Sequence, residues 1–287
     1  MDKKSAAENK SIVQQLTAVL TALAVLFLYI AVLGIAGIVF TAVLSSTHPG
    51  SSADEIKEMI TGYSAVTGIV GNVSALALLS AVILIMKRKI APSLSMKRFS
   101  PLLIPVCVLL GAAFNLFSEC ALSIIPFSNG AIDSYKELYS YLGQGSPVLE
   151  VISVVIVTPI AEEIFFRGCA YRLMRRKCGI LISVILSSLL FGAAHGNLIS
   201  LVYATSLGVI LALSFESTQS VFVPILIHSS FNAASYLADV LTGGGNANMI
   251  VIALITGTLC AAAGYSVYKI SIKYKNNSES HDGTGTE

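Results

Sequence analysis

The residues able to do chemistry in this chain are few, and they stand in apolar surroundings. Glu162 and Glu163 lie side by side in Ala161-Glu162-Glu163-Ile164-Phe165-Phe166-Arg167-Gly168. His195 closes Phe191-Gly192-Ala193-Ala194-His195, and His228 opens His228-Ser229-Ser230-Phe231-Asn232. An ionisable group at mid-bilayer costs about 2.5–3.5 kcal/mol on insertion scales, so each of these needs a compensating interaction or a task. Neighbouring helix positions differ by about 100°, which sends the two carboxylates to different sectors. Glu163 and Arg167 are four apart and share a face, so an ion pair there offsets the cost of both charges. The same spacing from Glu162 reaches Phe166. A carboxylate in such an apolar setting is suited to moving a proton near neutral pH. The competing reading is a charged pair at the end of a span, continuous with the basic surface Arg172–Lys177. The other chemical groups follow the same four-residue spacing. Phe191 would pack one turn from His195 and shield it from lipid, while His228 and Asn232 can face one cavity. The remaining histidines, His48 and His281, fall in a loop and in the tail.

The elements that must position these groups are transmembrane helices. The chain has 287 residues, of which 55% are apolar and only 12% charged, against about a quarter charged in a soluble domain. The net charge of +2 excludes a nucleic-acid binder working by bulk positive charge. Ile12 to Leu44 holds no charge at all, and a span needs about 20 apolar residues. We expect an all-α, polytopic membrane bundle of about eight helices. The spans lie within Ile12–Leu44, then at Tyr63–Met86 and Leu102–Ile125, then from Val148 and from Ile180. The last three are Leu198–Phe215, Val221–Leu237 and Met249–Tyr268. With the N-terminus in the cytoplasm, sixteen of the eighteen Lys and Arg fall inside, and only Lys57 and Lys136 outside. That asymmetry places both termini in the cytoplasm. The expected division is 1–147 for the first three helices and their loops, 148–275 for a catalytic core, and 276–287 for a disordered tail. Ser45–Gly62 and Pro126–Pro147 read as short polar outside loops. If the fourth helix runs on to Lys177, Glu162 lies roughly 22 Å from its tip and His195 roughly 24 Å along the returning helix. His228, nearer 12 Å into its own helix by the same rise, needs a tilt or a break at Pro224 to join them. Asn115 and Glu119, also four apart, read as an interhelical hydrogen-bonding pair. The five cysteines form no C-x-x-C pair, so they read as buried thiols rather than as a disulfide or a zinc site.

Glu162-Glu163-x-x-x-Arg167, Phe191-x-x-x-His195 and His228-x-x-x-Asn232 together resemble the three motifs of the CAAX prenyl protease and bacteriocin-processing family of intramembrane proteases, also called the Abi family. The resemblance covers Val151 to Leu237. It implies an eight-helix bundle with a water-filled cavity, and an endopeptidase that hydrolyses a peptide bond with an activated water. On that basis the catalytic residues are Glu162, Glu163, His195, His228 and Asn232, supported by Arg167 and Phe191. Glu162 takes the proton from water with His195 orienting it, His228 and Asn232 donate to the oxyanion, and Glu163 either pairs with Arg167 or shares the water. A metal-free route is expected. Glu162, His195 and His228 are also the ligand types of a catalytic zinc, so a zinc-dependent version stands as an alternative. The expected partners are the lipid bilayer and a peptide or membrane-protein substrate, with bacteriocin processing or self-immunity among the family's themes, and not nucleic acid. The expected location is a bacterial plasma membrane. Two other classes compete: a non-proteolytic scaffold or regulator of another membrane protein, and a proton-coupled transporter using Glu119 and Glu162.

Overall fold

The computed structural model describes residues 3–141, 145–242 and 249–282. Every regular element among them is helical. The first six are α1 (Lys3–Thr47), α2 (Ala53–Gly62), α3 (Ser64–Ile85), α4 (Ile90–Ser93), α5 (Leu103–Ile124) and α6 (Asn129–Tyr141). A continuous helical run follows: α7 (Pro147–Val151), a π-helical stretch (Ile152–Val157), α8 (Thr158–Glu163), a second π-helical stretch (Ile164–Tyr171) and α9 (Arg172–Ala193). The last three are α10 (Leu198–Thr218), α11 (Phe222–Thr242) and α12 (Met249–Asp282). The tail expected to be unstructured, 276–287, is instead helical over 276–282 as the end of α12, and 283–287 lies outside the described residues.

Among the described residues, five helices are long and apolar enough to cross a membrane: Ser11–Thr47, Ser64–Ile85, Leu103–Ile124, Leu198–Thr218 and Ile250–Asn276. They coincide with the first, second, third, sixth and eighth expected spans. The other three expected spans are helical but more polar or shorter. The run that starts at Pro147 carries Glu150, Glu162, Glu163 and Arg167. α9 is broken at Gly179, where φ is 76°, which leaves Ile180–Ala193 as an apolar stretch of about 21 Å. α11 carries the His228-to-Asn232 polar cluster.

Two stretches expected as loops contain helices. α2 lies in Ser45–Gly62 and α6 in Pro126–Pro147. α2 starts at a capping box: the Ser52 side chain accepts from the Glu55 backbone, and Glu55 Oε2 accepts from Ser52 N at 2.7 Å. Each member satisfies an orphan backbone donor of the other. Asp54 and Glu55 also suit the positive end of the helix dipole.

The chain forms two compact units. The first is Met1–Leu94 with Ile132–Ser187, and the second is Ser95–Ala131 with Ser188–Glu287. In the first unit α1 packs on α3 and on Ile164–Tyr171, while α3 packs on Ile152–Val157 and α8. The glutamate-bearing run is therefore seated on the two N-terminal helices. Arg172 Nη1 donates to the Ser93 carbonyl, and Lys177 Nζ donates to Gln14 Oε1 at 3.1 Å.

In the second unit α5 packs on α11 and α12, and α10 packs on the same two. Small residues set the closest approaches, as is usual between membrane helices. A Cβ at Gly111 would lie 2.2 Å from the Ile227 carbonyl oxygen and 2.8 Å from the Phe231 nitrogen. Ser230 Oγ donates to the Val108 carbonyl at 2.7 Å beside this contact. Pro224 makes no break in α11. It falls in the first turn, where a missing N–H costs nothing.

Gly111→Ala should force α5 away from α11, at a cost of about 1–3 kcal/mol by overpacking. Thermal denaturation in detergent should show the loss. Gly37→Ala, at a position with nothing within 4 Å, should leave the midpoint close to wild type.

Candidate active site

The site residues expected from the motifs fall in both units. Glu162, Glu163 and Arg167 belong to the first, and Phe191, His195, His228 and Asn232 to the second.

In the first unit Arg167 Nη1 lies 2.8 Å from Glu163 Oε1, with both side chains 0% exposed. The expected ion pair is formed, and it is fully removed from solvent. Glu162 is half-buried, and the field of Arg167 reaches both carboxylates. The guanidinium also lies 5.8 Å from the Phe166 ring centre, within reach of a cation–π attraction. The two glutamates close α8 between two π-helical stretches. Such insertions cluster at functional sites because they shift side-chain phase within a helix.

A second set of polar contacts surrounds this turn and was not expected from the sequence. Tyr29 Oη donates to Asn72 Oδ1 at 2.7 Å. Asn72 Nδ2 in turn donates to the Gly68 carbonyl at 2.9 Å and to Thr158 Oγ1 at 3.2 Å. The Tyr29 ring stacks on Phe165, with centroids 4.4 Å apart and planes inclined by 21°. The one signal in the sequence was Asn72 itself, an amide in the middle of an apolar run.

In the second unit the aromatic partner of the histidines is Phe191, buried at 1% exposure. It meets His195 edge-on at 5.0 Å and His228 edge-on at 5.5 Å between centroids. Both imidazoles thus converge on one ring, in the geometry favoured by the aromatic quadrupole. His195 does not lie within a span as expected. α9 ends at Ala193, and His195 occupies the turn that follows. Its backbone N donates to the Gly192 carbonyl at 3.1 Å, and Gly196 donates to the Ala193 carbonyl at 3.3 Å. Gly196 has φ 77°, the left-handed conformation with which glycine ends helices. His195 Nδ1 lies 2.8 Å from the Phe191 carbonyl. A carbonyl only accepts, so Nδ1 carries the proton, and the neutral ring holds its lone pair on Nε2.

His228 is 3% exposed on α11, and Asn232 follows one turn later, half-buried. Tyr203 stacks on Phe231 at 6.1 Å and approaches His195 at 6.4 Å. Asn197, which carried no signal in the sequence, caps α10: its Oδ1 accepts from Ser200 N at 2.8 Å. This cap anchors the turn that carries His195. Asn115 is buried on α5 with Oδ1 unpaired, so the interhelical bond expected of it is not made through that oxygen.

Residues 144–234 match the family described as Type II CAAX prenyl endopeptidase Rce1-like. All seven motif residues lie inside the matched stretch. The similarity to Rce1-like CAAX endopeptidases is thus confined to this segment. The chain is also 30% identical over 129 residues to the Bacillus subtilis (strain 168) protein named "Putative membrane peptidase YdiL". That match covers 41% of this chain and 53% of the relative, so the chain spans about half the length of the curated relative it matches. No solved structure matches. Tyr29 and Asn72 lie outside the CAAX-endopeptidase segment, whereas Thr158 and Phe165 lie within it.

Arg167→Met should leave the Glu163 charge buried without its counter-charge, a change that costs about 3–5 kcal/mol in buried pairs. Glu163→Leu combined with Arg167→Met removes both charges and should recover most of that loss. Equilibrium unfolding of the three proteins in mixed micelles measures the difference.

Proposed function

We propose that the chain is an intramembrane endopeptidase in which Glu162 activates water to hydrolyse a peptide bond. The observation that carries this reading is the buried Glu163–Arg167 pair. It commits one carboxylate to the helix, which supports its neighbour as the base. The match of residues 144–234 to an endopeptidase family supports the reaction class.

Glu162 takes a proton as the water oxygen attacks the scissile carbonyl carbon. His195 presents Nε2 to orient the water, since Nδ1 is engaged by the Phe191 carbonyl. His228 and Asn232 donate to the developing oxyanion, where preorganised donors act most strongly. Collapse of the tetrahedral intermediate breaks the C–N bond, and the proton held by Glu162 passes to the leaving amine. The substrates are peptides or membrane proteins of a bacterial plasma membrane. The bundle crosses that membrane eight times, with both termini in the cytoplasm, a topology supported by the sixteen-to-two distribution of basic residues. The route we propose is metal-free, and no step is assigned to an ion.

Glu162→Gln should accumulate uncut precursors in the membrane proteome while inserting at the wild-type level. A wild-type phenotype in the Glu162→Gln/His195→Ala double variant would instead mark the protein as a non-proteolytic regulator. Stoichiometric zinc in the purified protein, with activity lost on chelation and restored by zinc, would replace the metal-free route.

A further inference from the structure

The face of the helix that carries Glu162 is held by residues outside the CAAX-endopeptidase segment. Thr158, Glu162 and Phe165 are spaced four and three apart. Thr158 and Glu162 fall within about 40° of one another at about 100° per residue, and Phe165 follows at the start of the second π-helical stretch. Both flanking positions are gripped. Asn72 of α3 donates to Thr158 Oγ1 one turn before Glu162. Tyr29 of α1 stacks on Phe165 one turn after it. The two clamps are joined, because Tyr29 Oη donates to Asn72 Oδ1 at 2.7 Å. Asn72 is itself oriented by its second bond, to the Gly68 carbonyl of its own helix. Tyr29 and Asn72 are each only 3% exposed, so these bonds form where water cannot substitute for them, and losing one leaves a costly unpaired group. Glu162 and Glu163 both act electrostatically on Tyr29, as their shared location requires.

We propose that Tyr29 and Asn72 are positioning residues for Glu162, acting through Phe165 and Thr158, so that the site is incomplete without α1 and α3. The pair fixes the rotation of the glutamate-bearing turn and excludes water from one side of the carboxyl. The inference rests on the proposed role of Glu162 as the base, but its test does not need cleavage.

The test uses the full-length protein in nanodiscs and N,N′-dicyclohexylcarbodiimide, an apolar reagent that modifies protonated carboxyl groups. Mass spectrometry follows labelling of Glu162 as a function of pH. Tyr29→Phe keeps the ring and its stack but removes the hydroxyl, and Asn72→Leu removes all three hydrogen bonds of the amide. Each should displace the half-labelling pH of Glu162 by about half a unit or more, since a carboxyl's proton affinity follows its local dipoles and solvation. Thr158→Val should reproduce Asn72→Leu, and Thr158→Ser, which retains the acceptor oxygen, should restore the wild-type profile. Leu26→Ala serves as the control for a merely structural effect, being on the same helix and buried to a similar degree, at 4% exposure. It should lower stability without moving the profile. An unchanged profile in folded Tyr29→Phe, or an equal displacement in Leu26→Ala, would overturn the proposal. If the profiles behave as expected but no precursor accumulates in Glu162→Gln, the positioning stands and the protease reading fails.

Discussion

A buried charge in an apolar bundle is tolerated only beside its counter-charge, and the Glu163–Arg167 pair is where this chain meets that constraint. Both groups are withdrawn from solvent completely, so neither can rotate outward without stranding the other. The rotational phase of the run from 158 to 171 is thereby set. With Glu163 turned toward Arg167, Glu162 is displaced by about 100°, onto the stripe it shares with Thr158 and Phe165. That stripe is the one held by the Asn72 bond and the Tyr29 stack. One local ion pair thus distinguishes the two carboxylates: Glu163 is fully withdrawn from solvent, and Glu162 is half-buried.

The histidine-bearing unit solves a different problem with different means. Its imidazoles are oriented by an aromatic ring and by a helix end rather than by counter-charges. Phe191 touches both rings edge-on, and the left-handed glycine after His195 stops the helix where the histidine is needed. Asn197 then starts the next helix at once. The result is an imidazole on a short, doubly anchored turn, with one nitrogen committed to the backbone.

The parts legible in the sequence were those governed by local helix geometry. Glu163–Arg167 and Phe191–His195 are both four-residue contacts, and helical spacing alone brings each together. The apolar runs revealed the long helices for the same reason. His195 departs from the expected span because Gly196 ends the helix before it, a signal the residue type carries. The α2 helix departs from the expected loop because its capping box from Ser52 to Glu55 outweighs the polarity of the stretch. The Tyr29–Asn72–Thr158 chain could not have been read this way. Its bonds join residues 43 and 86 positions apart, and no periodicity links such distant positions before the helices are packed.

The notch at Gly111 has a kinematic meaning. Leu110 and Ala112 on either side carry a Cβ where Gly111 has none, and the Ile227 carbonyl and Phe231 nitrogen fill the space a Cβ would take. A screw displacement of α5 by one residue, about 1.5 Å with about 100° of rotation, would bring a Cβ against that backbone. The two helices are keyed in register, like a pin in a slot, with Ser230 bonded to Val108 beside the pin. The contact thus opposes relative displacement of α5 and α11 beside His228.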